Sequence, residues 1–163
     1  MIIPILISSK LIIFHMKKRI PPPIITMFSV LIIFLSKSIF PSFVFSFKLE
    51  LGIFISILGL LLLIVSVKSF VKNNTTINPL NLKKSTYLVT NGLFRYSRNP
   101  MYLGMLLFLV GTSIILNIIG GLIISILFIF YMNFFQIMPE EIALENLFGK
   151  DYRNYRKKVR RWL

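Results

Sequence analysis

Apolar residues fall into four runs, at residues 24–40, 49–71, 101–116 and 119–138, separated by segments that are polar and mostly basic. Each run is close to the length of about 20 residues that carries a helix across the hydrocarbon layer of a bilayer. Pro21, Pro22 and Pro23 stand before the first run and predict a stiff entry into it, because proline cannot continue a helix. Lys37 is placed to snorkel to the far interface, and residues 41–48 make a short connection. Glu50 begins the second run, where a carboxylate suits a helix N-terminus. Asn117 with Gly120 and Gly121 predicts a tight, uncharged turn between the third and fourth runs, each near the minimum crossing length. The basic segments then alternate with uncharged ones: basic start inside, short loop outside, basic residues 72–99 inside, uncharged turn outside, basic tail inside. An odd number of crossings would put a heavily basic segment outside. The predicted fold is therefore an all-α, polytopic membrane bundle of about four transmembrane helices, with both termini cytoplasmic.

The tail, residues 139–163, has a different pattern. Leu144, Phe148, Tyr152, Tyr155, Val159 and Trp162 recur at steps of three or four, and Lys150, Arg153, Lys157, Arg160 and Arg161 lie largely off that stripe. Glu140 and Glu141 follow Pro139, as at a helix start. This predicts a C-terminal amphipathic helix in the interface plane, with its tyrosines and tryptophan as membrane anchors. At the other end, residues 1–14 are apolar but are interrupted by Pro4, Ser8, Ser9 and Lys10. They are short for a span and lack the features of a cleavable signal. Met16 followed by Lys17, Lys18 and Arg19 resembles an ordinary cytoplasmic start. Residues 1–15 are accordingly expected to be an extension, and 16–163 a single membrane domain. The sequons at Asn73 and Asn74 fall in the segment placed inside and are expected to be coincidental.

Composition narrows the chemistry. The chain is 56% hydrophobic over 163 residues, more than a water-soluble domain of that size can bury. Its net charge of +14 first suggests nucleic acid, but the basic residues sit between the apolar runs. Topology and anionic headgroups explain them, so membrane lipids, not nucleic acid, are the expected partners. There is no cysteine, which excludes disulfides, thiolate nucleophiles and iron–sulfur clusters. With His15 as the one histidine, no metal site is expected. The abundant Ile, Phe and Lys fit a prokaryotic inner membrane.

Two polar segments carry more specificity than topology requires: Tyr87 to Gly104, and Glu140-Glu141 with the tail behind them. The third and fourth runs form an antiparallel pair, so the start of one and the end of the other share a membrane face. That brings Asn99, Pro100 and Tyr102 near Glu140 and Glu141, with Arg95 and Arg98 as cations. Such a pocket suits a zwitterionic ligand, guanidinium facing its carboxylate and carboxylate facing its amino or hydroxyl groups. The same residues also fit a plainer account, in which Arg95 and Arg98 are topology signals and the glutamates cap a helix.

The run Leu88-Val-Thr-Asn-Gly-Leu-Phe-Arg-Tyr-Ser-Arg-Asn-Pro-Met-Tyr-Leu-Gly104 resembles the signature of the isoprenylcysteine carboxyl methyltransferases and their prokaryotic relatives. In that family it reads Leu-Val-Thr-x-Gly-x-Tyr-x-x-x-Arg-His-Pro-x-Tyr-x-Gly. The segment from Glu140-Glu141 through Phe148-Gly149, Tyr152 and Tyr155 to Val159 is similar to the family's second signature, in the right order and separation. The resemblance covers about residues 16–163. It implies a membrane methyltransferase using S-adenosylmethionine, with a lipophilic or lipid-linked acceptor and carboxylate O-methylation favoured. Tyr87, Leu88, Val89, Phe94, Asn99, Pro100, Met101 and Tyr102 are implied to line the cofactor. Glu141 and Glu140 are implied to hold its polar end, with Arg95, Arg98 and Asn99 in positioning roles. Two positions depart from the family. The motif histidine is Asn99, which cannot titrate, and the arginine that eukaryotic members carry before the glutamates has no counterpart among Phe134, Phe135, Gln136 and Ile137. Other readings are a phospholipid or amine N-methyltransferase, a sterol-reductase-like NADPH enzyme, and a non-catalytic membrane scaffold.

Overall fold

The computed structural model describes residues 20–41, 43–73 and 87–163; the expected extension at 1–15 and most of the loop between the second and third runs lie outside them. The described residues are helical without strands. Helix α1 is Pro22–Leu35, followed by a 3-10 turn, Ser36–Ser38; α2 is Lys48–Lys72. After a 3-10 turn at Gly92–Arg95 come α3, Pro100–Leu116, and α4, Ile118–Tyr131. A π-helical stretch, Met132–Ile137, joins α4 to α5, Met138–Phe148, and α6 is Lys150–Lys158. Two helical stretches, Lys48–Lys72 and Ile118–Phe148, are long and apolar enough to cross a membrane, while Pro22–Ser38 and Pro100–Leu116 are apolar but shorter.

The prolines expected to precede the first helix instead begin it. Pro22 and Pro23 occupy its first turn, where a missing N–H costs nothing and the fixed φ is already helical. The turn between α3 and α4 is likewise not where the glycine pair suggests. Asn117 alone makes it, in an extended conformation, and its side-chain oxygen accepts from the Gly120 N–H at 2.8 Å to cap α4. Its Nδ2 donates to the Phe40 carbonyl at 3.0 Å and ties the end of the first hairpin to this turn. Gly120 and Gly121 lie inside α4, against Ser36 and Ser113, where a side chain would collide.

Among the described residues, helices α2 and α3 share the most extensive contact. A Cβ on Gly59 would lie 2.6 Å from the Gly104 carbonyl, and one on Gly104 would lie 2.7 Å from the Gly59 carbonyl. Gly52 and Gly111 make the same approach one heptad further along the antiparallel pair. Small residues thus bring the two backbones together, which is how helices associate where no hydrophobic force acts between them. The outward residues of α2 complete the pattern: Gly52, Gly59 and Ser66 are its buried positions, while Phe54, Leu61 and Ile64 are exposed. Ser66, Ser113 and Thr112 return their hydroxyls to carbonyls one turn back, at 2.6, 2.6 and 2.8 Å, whereas the buried Ser56 hydroxyl, set against Gly111 in the seam, has no partner.

The tail is not one helix. Pro139 lies in the first turn of α5 with Glu140 and Glu141 behind it, as the sequence suggests, but the helical path from α4 runs on into it; the wider π turn before it accommodates a residue that has no N–H to donate. That turn holds one more residue than an α turn, so everything downstream is rotated by about 100° from where a plain helix would put it. Gly149, at φ +54°, breaks the path between α5 and α6, a conformation that suits glycine. After Val159 the chain runs extended back across the start of α3, and the Arg98 N–H donates to the Arg160 carbonyl at 3.0 Å. The expected stripe survives with a different destination: Leu144, Phe148, Tyr152, Tyr155 and Val159 pack on Val89, Phe94 and Phe70. Tyr152 and Tyr155 are therefore core residues and not membrane anchors, because protein covers the face they present. Trp162, half-buried, gives its indole N–H to Asn133 at 3.1 Å.

Candidate active site

The start of α1, the end of α2, the start of α3 and the junction of α4 with α5 all open onto one cavity of about 420 Å³. The strand-like approach to α3 shapes its wall. Gly92 turns the chain at φ +59°, and Phe94 points inward against Phe70, with ring centroids 5.3 Å apart and planes nearly perpendicular. The Tyr155 hydroxyl donates to the Phe94 carbonyl at 2.7 Å and pins that turn to α6. Asn99 is the N-cap residue of α3 and Pro100 its first residue. The Asn99 amide group donates to the Arg161 carbonyl at 2.9 Å, so its side chain holds the tail.

Glu140 and Glu141, which open the second motif, are buried. Tyr102 donates to Glu140 at 2.6 Å, which joins α3 to α5 across the cavity. Glu141 is clamped on two sides. Arg161 grips it as a fork, Nε at 3.0 Å and Nη2 at 2.7 Å, and Arg98 Nη1 lies 3.0 Å from the same oxygen that Nε contacts. The side chains of Arg98 and Glu141 are 9% and 8% exposed. Ions so placed are tolerated only when paired and hydrogen-bonded. Burial pushes the Tyr152 phenol up to about 12, helped by the Glu141 charge and opposed by Arg98, and burial also raises Tyr155. Both phenols are neutral hydrogen-bonding groups here. The bond to Glu141 raises Arg161 and keeps its charge fixed.

Tyr87, Leu88, Val89, Phe94, Asn99, Pro100, Met101, Tyr102, Glu140 and Glu141 all line this cavity, as does Arg98. Arg95 does not. It is exposed on a separate groove with Asp151, Asn154 and Lys158, because the 3-10 turn that drives Phe94 inward directs its neighbour out. Sequence reasoning missed the other wall: Pro21, Pro22, Pro23, Phe70, Met105, Leu144, Tyr152 and Tyr155. It also missed Arg161, which stands behind Glu141. The continuation of the tail's apolar stripe to Trp162 was a usable signal that the last residues turn toward the protein.

The sequence pattern of the phospholipid methyltransferase family matches residues 47–151, more than half of the chain, with the whole of the first motif and the start of the second. An uncharacterized protein of Haemophilus influenzae is 46% identical over 63 residues, 39% of this chain and all of that one. The protein-S-isoprenylcysteine O-methyltransferase of Schizosaccharomyces pombe is 38% identical over 78 residues, 47% of this chain and 32% of the enzyme. A probable enzyme of the same name from Oryza sativa subsp. indica is 28% identical over 115 residues, 65% of this chain and 59% of its own length. The chain thus spans between a third and three fifths of these two relatives. No solved structure matches. With the family pattern running from the start of α2 to the start of α6, and with methyltransferases among its relatives, the chain belongs to the phospholipid methyltransferase family and is similar to its isoprenylcysteine-modifying members.

Proposed function

We propose that this protein is an integral membrane methyltransferase that uses S-adenosylmethionine to methylate a lipophilic or lipid-linked acceptor. The observation that carries the reading is the convergence of both sequence motifs on one cavity at the end of the bundle. Its volume lies within the range of about 300–1,000 Å³ usual for small-molecule sites. Its lining matches a charged nucleoside: aromatic and apolar walls from Tyr87, Phe94 and Val89, and charged groups converging from Arg98, Glu140 and Glu141. Arg98 also keeps a buried Nε–H without a partner, an unmet donor that a polar ligand can satisfy.

The bound cofactor supplies a methyl group already activated on a sulfonium. What this chain contributes is position and dryness. Fixed placement of reactants is worth on the order of 7–11 kcal/mol of barrier, and the apolar walls keep water from competing. A carboxylate acceptor needs no base. That suits a site whose motif histidine is Asn99, itself occupied in holding the Arg161 carbonyl. O-methylation is the chemistry named for the yeast and rice relatives, and a carboxylate is therefore the favoured acceptor here. Amine N-methylation is the second reading, and the description of the matching family supports it.

The four helices alternate in direction around the cavity, and α2 exposes its large apolar residues while burying its small ones. That alternation, together with the basic loops, supports our reading of four crossings with the cavity and both termini on the cytoplasmic side.

The test is to titrate the detergent-purified protein calorimetrically with S-adenosylhomocysteine, then supply methyl-labelled S-adenosylmethionine with carboxylate and amine acceptors. Saturable binding and a label released by alkali, as from an ester, are the expected results. A label that resists alkali would shift the assignment to amines. No binding by folded protein, with binding of NADPH instead, would remove the methyltransferase reading.

A further inference from the structure

We infer that Arg98 is the carboxylate-docking residue of the cavity, and that Arg161 leaves it available for that task by taking over the neutralisation of Glu141. This rests on the methyltransferase reading and adds to it a ligand group and the residue that meets it.

An isolated arginine–carboxylate pair closes as a fork, two N–H groups on two oxygens. Here Arg161 makes that fork with Glu141, through Nε to one oxygen and Nη2 to the other. Arg98 is left with a single-handed contact, Nη1 to Glu141 at 3.0 Å, and the same nitrogen reaches the Tyr152 hydroxyl at 3.4 Å. Its Nε has no partner although the side chain is only 9% exposed and lines the cavity. A buried guanidinium donor with nothing to bond is a costly arrangement, and water or a ligand must meet it.

The neighbouring carboxylates are already engaged: Glu140 accepts from Tyr102 at 2.6 Å, and Glu141 is shared by Arg161 and by Nη1 of Arg98, so neither meets Arg98 Nε. The phenols beside it cannot supply a negative charge near neutral pH, since burial raises both. A ligand carboxylate satisfies the spare N–H of Arg98. Glu141 is the counter-ion that holds Arg98 in place, its two oxygens already engaged by three nitrogens. The carboxylate has two possible sources under the proposed reaction, the amino-acid end of the cofactor and the acceptor itself.

The experiment compares ligands that differ only by that carboxylate, on the full chain in detergent. One arm measures S-adenosylhomocysteine against S-adenosyl-3-thiopropylamine, its decarboxylated counterpart. The other measures N-acetyl-S-farnesylcysteine against its carboxamide, with S-adenosylhomocysteine present. Each is repeated on Arg98→Gln and Arg98→Lys, with thermal unfolding as the check on folding. In one arm the wild type should prefer the carboxylate by about ten- to hundredfold, the worth of a charged hydrogen bond. Arg98→Gln should erase that preference by weakening the carboxylate ligand alone, and the affected arm identifies the source. The inference is overturned if the wild type shows no preference in either arm, or if Arg98→Gln weakens both members of a pair equally. If neither nucleoside binds to the folded wild type, the methyltransferase reading itself fails. Binding without discrimination leaves that reading standing and removes only the role of Arg98.

Discussion

On α2, the buried positions are Gly52, Gly59 and Ser66, and the exposed ones include Phe54, Leu61 and Ile64; at the cavity end, Glu140, Glu141 and Tyr152 are buried and the side chain of Arg98 is only 9% exposed. The first region conceals what is small and displays what is large and apolar. The second conceals charge. The same chain thus solves two burial problems with different physics. In the α2–α3 seam shape does the holding, because neighbouring lipid is as apolar as the helices and only close contact favours protein over lipid. At the cavity, pairing does the holding: each buried ion has a partner, and removal of one leaves another uncompensated. Tolerance to mutation should therefore differ in kind, with the seam sensitive to volume and the cavity to charge.

Glu141→Ala tests the charge side most severely. It leaves Arg98 and Arg161 facing each other without a carboxylate, so a loss of about 3–5 kcal/mol is expected, with S-adenosylhomocysteine binding abolished. Thermal unfolding and calorimetry in detergent measure both. If stability is untouched, pairing is not what holds this end together. Gly59→Ala is the matching test of the seam. Its new Cβ meets the Gly104 carbonyl at 2.6 Å, and a cost of about 1–3 kcal/mol is expected from overpacking. Backbone cannot move aside as a flexible side chain can. Gly149→Ala has open space around its Cβ but carries a positive φ, so a loss there would come from backbone conformation and not from crowding.

Tyr155→Phe removes one hydrogen bond, that to the Phe94 carbonyl, and should cost about 0.5–1.5 kcal/mol. The effect should appear mainly as weaker ligand binding, since that bond fixes the wall carrying Phe94. Alkaline titration of Tyr152 reads the same cluster. Its folded-state value of about 12 lies above the ordinary 10.0. The folded protein thus holds this proton more tightly than the unfolded chain, and the resulting stability is complete below pH 10 and lost as pH rises through about 12. Glu141→Ala should lower that titration, because the Glu141 charge raises it. Absorbance at the phenolate band follows it. Arg153→Ala should do almost nothing, within about 0.5 kcal/mol, as its 3.6 Å pair with Glu145 is exposed.

How much of this was legible in the chain depended on the range of the interaction. The second run, expected at 49–71, corresponds to Lys48–Lys72, because a long apolar segment bounded by lysines leaves little choice. The meeting of Tyr102 with Glu140 followed from antiparallel packing and is seen directly. What escaped was decided by contacts without local periodicity. Asn117 makes the turn alone because Phe40, 77 positions away, satisfies its amide. Tyr152 and Tyr155 look like interfacial anchors in any window of sequence; only the return of Phe94 and Val89 beneath them makes them core. Arg161 is one of several basic residues in the tail, and nothing in its neighbours marks it as the one that reaches Glu141. Arg95 and Arg98 are equally plausible as text and diverge because Arg95 is the last residue of the 3-10 turn, whereas Arg98 lies beyond it, just ahead of α3.

The π-helical stretch at Met132–Ile137 makes the site depend on phase as well as composition. Glu140 and Glu141 face the cavity because one surplus residue upstream has advanced the helix by about 100°. Deleting a single residue from that stretch would tighten the hydrogen-bond ladder yet swing both carboxylates away from Arg98 and Tyr102. Every motif residue would still be present, in order, and the catalytic address would be wrong. In this chain the spacing between two signatures is as much a functional element as the signatures themselves.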